Sequence, residues 1–271
     1  MVRATIPPTP KPWIPMPKRA DLPTDDPSLG SVDPAQNPPV ALPDADWAWF
    51  VARCEALGVA DASAKRTAIE ALYGHLVGVN RWLNLTTITA PREYLKLHVL
   101  DSLALVGDSR LKHLAEGAPC LDLGAGGGYP GLPLALWHPR IPWVLADARR
   151  KKAEFLNAAG SIVQRLGSSV SCTGKHLRGS EVARSAPALH RRCQLVVSRA
   201  MAQCDEVLDE AAALLQPHGH CVVFKGPAFA GEERERTMGA CARLGYRFVS
   251  ERRVVLEDGD PERVMVIFER V

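Results

Sequence analysis

One stretch constrains this chain more than any other: Cys120-Leu121-Asp122-Leu123, followed by Gly124-Ala125-Gly126-Gly127-Gly128-Tyr129-Pro130-Gly131. A short apolar run closing on a glycine-rich turn, with a helix expected from about Leu132, is how parallel α/β sheets bring backbone close to a ligand at the carboxyl ends of their strands. The theme then repeats, as short apolar runs alternate with amphipathic stretches. The pattern predicts strands at Cys120 to Leu123, Trp143 to Asp147, Val170 to Thr173, Leu195 to Ser198, Cys221 to Lys225, Phe248 to Leu256 and Val264 to Glu269. The last two are not separated by a helix. The expected fold is therefore α/β, Rossmann-like, with a seven-stranded, mostly parallel sheet, helices on both faces and a final antiparallel strand.

Gly126, Gly128 and Gly131 satisfy the dinucleotide pattern G-x-G-x-x-G, so a nicotinamide-dependent oxidoreductase is one reading of the loop. Asp122 argues against it. An acid at the head of the loop repels a diphosphate and suits a ligand carrying an ammonium and a sulfonium, as S-adenosylmethionine does. Asp147 ends the second strand about 20 residues beyond the loop, where an acid accepts hydrogen bonds from ribose hydroxyls in either cofactor class. Asp122, Gly124, Gly126 and Asp147 are accordingly expected to bind S-adenosylmethionine, in the methyltransferase variant of the fold.

Three regions are expected. Residues 1–45 are crowded with prolines and poor in apolar side chains, and read as a disordered tail. Within it, Asn37-Pro38-Pro39-Val40 superficially matches an Asn-Pro-Pro-aromatic motif of nitrogen methylation, but it lacks the aromatic and precedes the glycine loop. Residues 46–118 read as an N-terminal helical attachment. Trp47, Phe50, Val51 and Cys54 share one helical face, Ile69, Leu72, Tyr73, Leu76 and Val79 share another, and a third helix begins near Pro91. Residues 119–271 form the methyltransferase domain. Of the seven cysteines, Cys120, Cys193 and Cys221 sit in or beside apolar runs and are read as core thiols of a cytoplasmic protein, and the sequence holds neither an apolar run of membrane-spanning length nor the apolar region of a signal peptide.

Read in order, Asn84-Leu85-Thr86, then Leu97-His98-Val99-Leu100-Asp101-Ser102-Leu103, then the glycine loop through Pro133-Leu134 resemble the bacterial RsmG family, which methylates N7 of a guanine in small-subunit ribosomal RNA. The likeness continues through Lys152-Ala153-Glu154-Phe155-Leu156, Ser198-Arg199-Ala200 and Lys225-Gly226, over roughly Asp46 to Val271. The resemblance implies that Gly124 and Tyr129 line the methionine end of the cofactor, that His176 and Leu177 border the adenine, and that Arg199 closes the pocket. The chain carries Lys175-His176-Leu177 where the family commonly has a small residue and an acidic pair. Its connection through Pro187 to Arg192 is longer than expected, and the proline-rich tail has no recognised counterpart.

A net charge of +3 permits an RNA partner without demanding one. Local charge is more telling. Arg149, Arg150, Lys151 and Lys152 follow Asp147 at the expected ligand edge, where they and Lys225 are candidate phosphate contacts, with Arg140 and Arg199 expected nearby. Guanine N7 is nucleophilic without losing a proton, so no residue is required as acid or base. Asn84, His98 and Asp101 are candidates to shape the acceptor pocket, with helix capping, a turn or a buried hydrogen bond as their structural alternatives. Cytosine C5 chemistry would need a cysteine near the fourth strand; Cys204 is closest, but it begins a predicted helix and is expected to pack. The eight histidines show no zinc spacing, and no metal is expected. The expected partner is small-subunit ribosomal RNA or its particle, not DNA or a membrane, met by a monomer. A methyltransferase of another acceptor, and an RNA-binding module without turnover, are the remaining alternatives.

Overall fold

The computed structural model describes residues 30–108, 113–226 and 229–271. Within them the sheet has seven strands: β1 (Cys120–Leu123), β2 (Trp143–Asp147), β3 (Cys172–His176), β4 (Cys193–Arg199), β5 (Leu215–Lys225), β6 (Tyr246–Val254) and β7 (Arg263–Arg270). They lie in the order β3-β2-β1-β4-β5-β7-β6. β1 through β5 pair in parallel, and β7 inserts antiparallel between β5 and β6. The Rossmann-like sheet and the antiparallel last strand are as the sequence predicts. β1 and β2 have the expected limits. β3 starts two residues later and runs to His176, and β5 begins six residues earlier, at Leu215, across an irregularity in its pairing with β4.

Every residue of β1 and β2 is buried, because both faces of the central sheet are covered. Alternate side chains enter two apolar clusters. Cys120, Leu145, Val197, Phe224 and Ile267 point to one, shared with the helices α1 (Asp44–Ala56), α2 (Arg66–Leu83), α3 (residues 91–103), α4 (Gly131–Trp137) and α5 (Arg150–Gly167). Leu121, Val144, Val196 and Val223 point to the other, shared with α6 (Cys204–Ala212) and residues flanking α7 (Glu232–Ala240). All seven cysteines are buried free thiols, Cys204 among them at the start of α6. Among the described residues no helix is long and apolar enough to cross a membrane.

The region before β1 shares a continuous apolar cluster with the sheet. The buried stripe of α2 is the one its spacing predicts, with Ile69, Leu72, Tyr73, Leu76 and Val79 all inside. The helix stops at Asn84, whose φ of +41° is the left-handed turn that ends many helices. In α3, Tyr94–Leu100 is wound as a π-helix between α-helical turns Pro91–Glu93 and Asp101–Leu103.

The expected disorder of residues 1–29 lies outside the described residues. For the remainder of the tail the expectation is corrected: the chain from Gly30 lies along α2, and α1 already begins at Asp44. Val40 N–H donates to Glu70 O at 3.2 Å, Leu42 N–H donates to Glu70 Oε1 at 3.0 Å, and Leu42 itself is buried. The Asn-Pro-Pro-Val stretch belongs to this strap. Pro38 O sits where Gly74 leaves room, so small residues on α2 let a proline-rich backbone approach, which composition alone does not reveal.

Candidate functional site

Register puts the chemistry at one edge. Leu123 pairs with Ala146, Asp122 with Val197, and Arg199 with Phe224, so the carboxyl ends of β1, β2, β4 and β5 converge. β7 runs the other way and brings its first residue, Arg263, to the same edge beside Lys225.

At β1 the turn is built by backbone. Gly124, Gly126 and Gly128 all have positive φ, and a side chain at Gly131 would collide with Leu145 and lie 2.8 Å from Asp122 Cβ. Two carboxylates hold the loop from beneath. Asp122 Oδ2 accepts the Gly131 N–H at 2.7 Å, and Asp147 Oδ2 accepts the Gly126 N–H at 3.1 Å while its Oδ1 accepts the Arg149 N–H at 2.8 Å. Both faces of β1 are covered, so Asp122 is fully buried, and its Oδ1 has no hydrogen-bond partner among the described residues. Burial outweighs the Gly131 amide and the charge of Arg199, and pushes the carboxyl up to about 7. Asp122, expected to bind the cofactor, lies beneath the loop, and its carboxylate positions the turn through the Gly131 N–H.

This donor set fits a cationic sulfur cofactor and not a dinucleotide. The Gly126 and Gly131 amides that a diphosphate would need are already taken, and by acids. A buried carboxylate oxygen lacking a partner beneath the turn is offset by a nearby positive charge.

Beside the loop a second region is built from side chains. Arg199, at the end of β4, donates to Leu97 O at 2.8 Å and to Asp101 Oδ2 at 2.6 Å, and its other amino group is 3.2 Å from His98 Nδ1. A guanidinium can only donate, so Nδ1 accepts and Nε2 carries the proton, which it gives to Thr86 Oγ1 at 2.9 Å. Burial, and then the charge of Arg199, hold the imidazole down to about 3, so it is neutral at physiological pH. Its ring stacks on Tyr129 at 4.6 Å between centroids, and Tyr129 donates to the buried hydroxyl of Tyr94. Arg199 thus braces α3 and Tyr129 together. A cleft of about 410 Å³ opens on this network, walled by Ile88, Leu97 and Phe224, with Asp101, Arg199 and Arg263 at its polar side.

The other expected residues divide. His176 is exposed at the end of β3, its Nε2 3.1 Å from Ala148 O, and Leu177 is buried with its N–H on Asp147 O, so both flank the second acid of the loop. In the basic run, Arg149 and Arg150 face solvent, Arg150 pairing with Glu154; Lys151 lies 5.9 Å from the Trp82 ring centre. Lys152 turns in toward Gly126, where burial lowers its ammonium pKa. Lys225 is corrected as a phosphate contact. Its ammonium donates to Ala202 O at 2.9 Å and pairs with Glu233 at 2.6 Å, tying the end of β5 to α7. Asn84 is an exposed turn residue and not a pocket wall. Arg140 precedes β2 and pairs with Glu116, which precedes β1, at the opposite edge of the sheet.

Sequence reasoning missed Asn80, whose side chain holds Leu85 and Thr86 in the loop after α2, and Ser198, whose hydroxyl donates to Leu123 O at 2.8 Å. It also missed Arg263. Ser198 stood inside a quoted motif and could have been found there, but nothing local marks the other two.

Residues 65–250 match the family model described as rRNA small subunit methyltransferase G. The Myxococcus xanthus ribosomal RNA small subunit methyltransferase G is 34% identical over 221 residues, spanning 81% of this chain and 94% of that protein. The Geobacter metallireducens protein of the same description is 35% identical over 202 residues, spanning 74% of this chain and 84% of that one.

Proposed function

This chain belongs to the rRNA small subunit methyltransferase G family, and on that premise we propose that it transfers a methyl group from S-adenosylmethionine to N7 of a guanine in small-subunit ribosomal RNA. When bound, S-adenosylmethionine supplies an electrophilic methyl group on a sulfonium. Gly124 and Tyr129 hold the methionine end, and Asp147, His176 and Leu177 border the adenosine. Asp122 keeps the turn in place and lends negative field below it.

The observation that carries the choice of acceptor atom is the state of the titratable groups around the cleft. His98 gives its proton to Thr86 and its lone pair to Arg199, Asp101 is engaged by Arg199, and Lys225 is engaged by Glu233. A reaction needing a general base would find each of these groups committed. Guanine N7 has an in-plane lone pair and loses no proton, so the protein's task reduces to alignment and exclusion of water, which can be worth several kcal/mol of barrier. Ile88, Leu97 and Phe224 provide apolar walls for an unstacked base, and the braced Tyr129–His98 pair keeps the wall between base and loop rigid.

Arg149 and Arg150, outside the cleft and free of the loop, are assigned to RNA phosphates. The partner is ribosomal RNA or its particle, met by a monomer in the cytoplasm, with no DNA or membrane partner. Incubation with labelled cofactor and undermethylated small-subunit RNA, followed by cleavage specific to 7-methylguanosine, tests the reading. Transfer at one guanine is expected; no transfer to either naked RNA or the assembled subunit overturns it.

A further inference from the structure

We propose that Arg263 forms an anion subsite in the cleft and grips a phosphate of the acceptor nucleotide; the inference rests on the ribosomal RNA reading above. Arg263 opens β7 and lines the cleft at the carboxyl edge of the sheet, yet it lies more than 60 residues from any motif the sequence singled out for cofactor binding. Among the described residues its ionic partner is Asp101 Oδ1, 3.4 Å from Nε, and that Nε is buried without a hydrogen bond. Asp101 makes its short contact, 2.6 Å, with Arg199 instead.

Charge arithmetic around the cleft gives the reason. Among the residues lining the cleft, Lys225 is paired with Glu233, and one carboxylate, Asp101, contacts two guanidiniums, Arg199 and Arg263; Asp122, buried beneath the neighbouring turn, adds its field at Arg199. One positive charge is in surplus, and among the described residues it falls on Arg263, the arginine with the longer ionic contact and no hydrogen bond. A guanidinium with unused donors beside apolar walls calls for a ligand with anionic oxygens.

Phosphate is favoured over the edge of the base. Guanine N7 becomes cationic as the methyl arrives, so a surplus cation at the base would oppose the reaction. A phosphate at Arg263 brings its own negative charge, cancels the surplus and leaves the cleft neutral when positive charge develops on the purine.

The experiment compares the full chain with Arg263→Ala and Arg263→Lys. Readouts are affinity for small-subunit RNA as a function of salt, methyl transfer, and affinity for S-adenosylhomocysteine. Arg263→Ala is expected to weaken RNA binding about tenfold and to lower the slope of log affinity against log salt by about one, with S-adenosylhomocysteine binding unchanged. Arg263→Lys restores most of the affinity and the slope, because phosphate is read as charge, and it checks that the position tolerates substitution. An unchanged slope in Arg263→Ala overturns the proposal. So does loss of S-adenosylhomocysteine binding, which would make Arg263 a support for the Asp101–Arg199 pair, and so does a lysine variant as defective as alanine, which would indicate base recognition. If wild-type protein transfers no methyl to RNA, the parent reading falls and this one with it; an active wild type beside an indifferent Arg263→Ala removes this one alone.

Discussion

The two halves of the ligand edge are made differently. The turn after β1 is one contiguous segment whose shape comes from backbone: positive φ at Gly124, Gly126 and Gly128, amides pinned by Asp122 and Asp147, and no room for a side chain at Gly131. The cleft beside it is assembled from α3, β4, β5 and β7, and its shape comes from side chains converging on Asp101 and Arg199. The first half is local and written in consecutive letters. The second is a meeting of residues that lie over 160 positions apart in the chain, and substitutions should expose the contrast.

The largest effect is expected on the cleft side. Asp101→Ala leaves two arginines facing one another without their carboxylate, and breaking a largely buried pair costs about 3 kcal/mol or more. Urea unfolding measures it, and a loss within experimental error would mean that the cleft does not depend on this network. On the loop side, Gly131→Val forces a side chain against Leu145 and Asp122 and is expected to cost about 2 kcal/mol while abolishing S-adenosylhomocysteine binding. Retained binding in calorimetry would break the view of the turn as a backbone device.

Asp122 has its folded value raised from 3.8 to about 7, so the unfolded chain gives up this proton first. Its contribution to stability is full below the unfolded value, falls as pH rises toward about 7, and is flat beyond. A cationic ligand favours the carboxylate, so S-adenosylmethionine affinity should climb with pH up to about 7 and then level off, more steeply than that of uncharged-sulfur S-adenosylhomocysteine. Asp122→Asn should remove the difference in slope. Two parallel pH profiles with wild-type protein would contradict a field acting from beneath the loop.

The smallest effects separate cations that look alike in sequence. Lys225→Ala should cost about 1 kcal/mol of stability through the lost Glu233 pair and leave the salt dependence of RNA binding unchanged. Arg150→Ala should do the reverse, with melting unaltered and the salt slope lower by about one. Exchanged outcomes would reverse the assignments.

The same contrast explains what could be read in advance. The turn, both strands that frame it, the buried stripe of α2 and the start of α6 follow from short-range rules of periodicity and glycine placement, and they stand where the sequence predicts. The direction of Asp122 does not. Type and position said acid at the loop, while the covering of both faces of β1 buried it. Arg149 to Lys152 read as one basic run, but helical geometry turns Arg150 to solvent and Lys152 into the loop. The strap from Gly30 to Pro43 read as tail because its ordering depends on Gly74 and on Glu70, which act only once α2 is formed.

By itself the sequence determined a seven-stranded α/β sheet, a glycine turn with acids at its edge, and a family. These depend on periods of two and 3.6 residues and on the few residues that tolerate positive φ, which neighbours in the chain reveal. Tertiary structure decided which charges are spent and which are left over: Lys225 on Glu233, Arg199 on Asp101, and Arg263 with half a partner. Electrostatic pairing acts through space across a few ångströms, so no pattern in the order of residues could announce it.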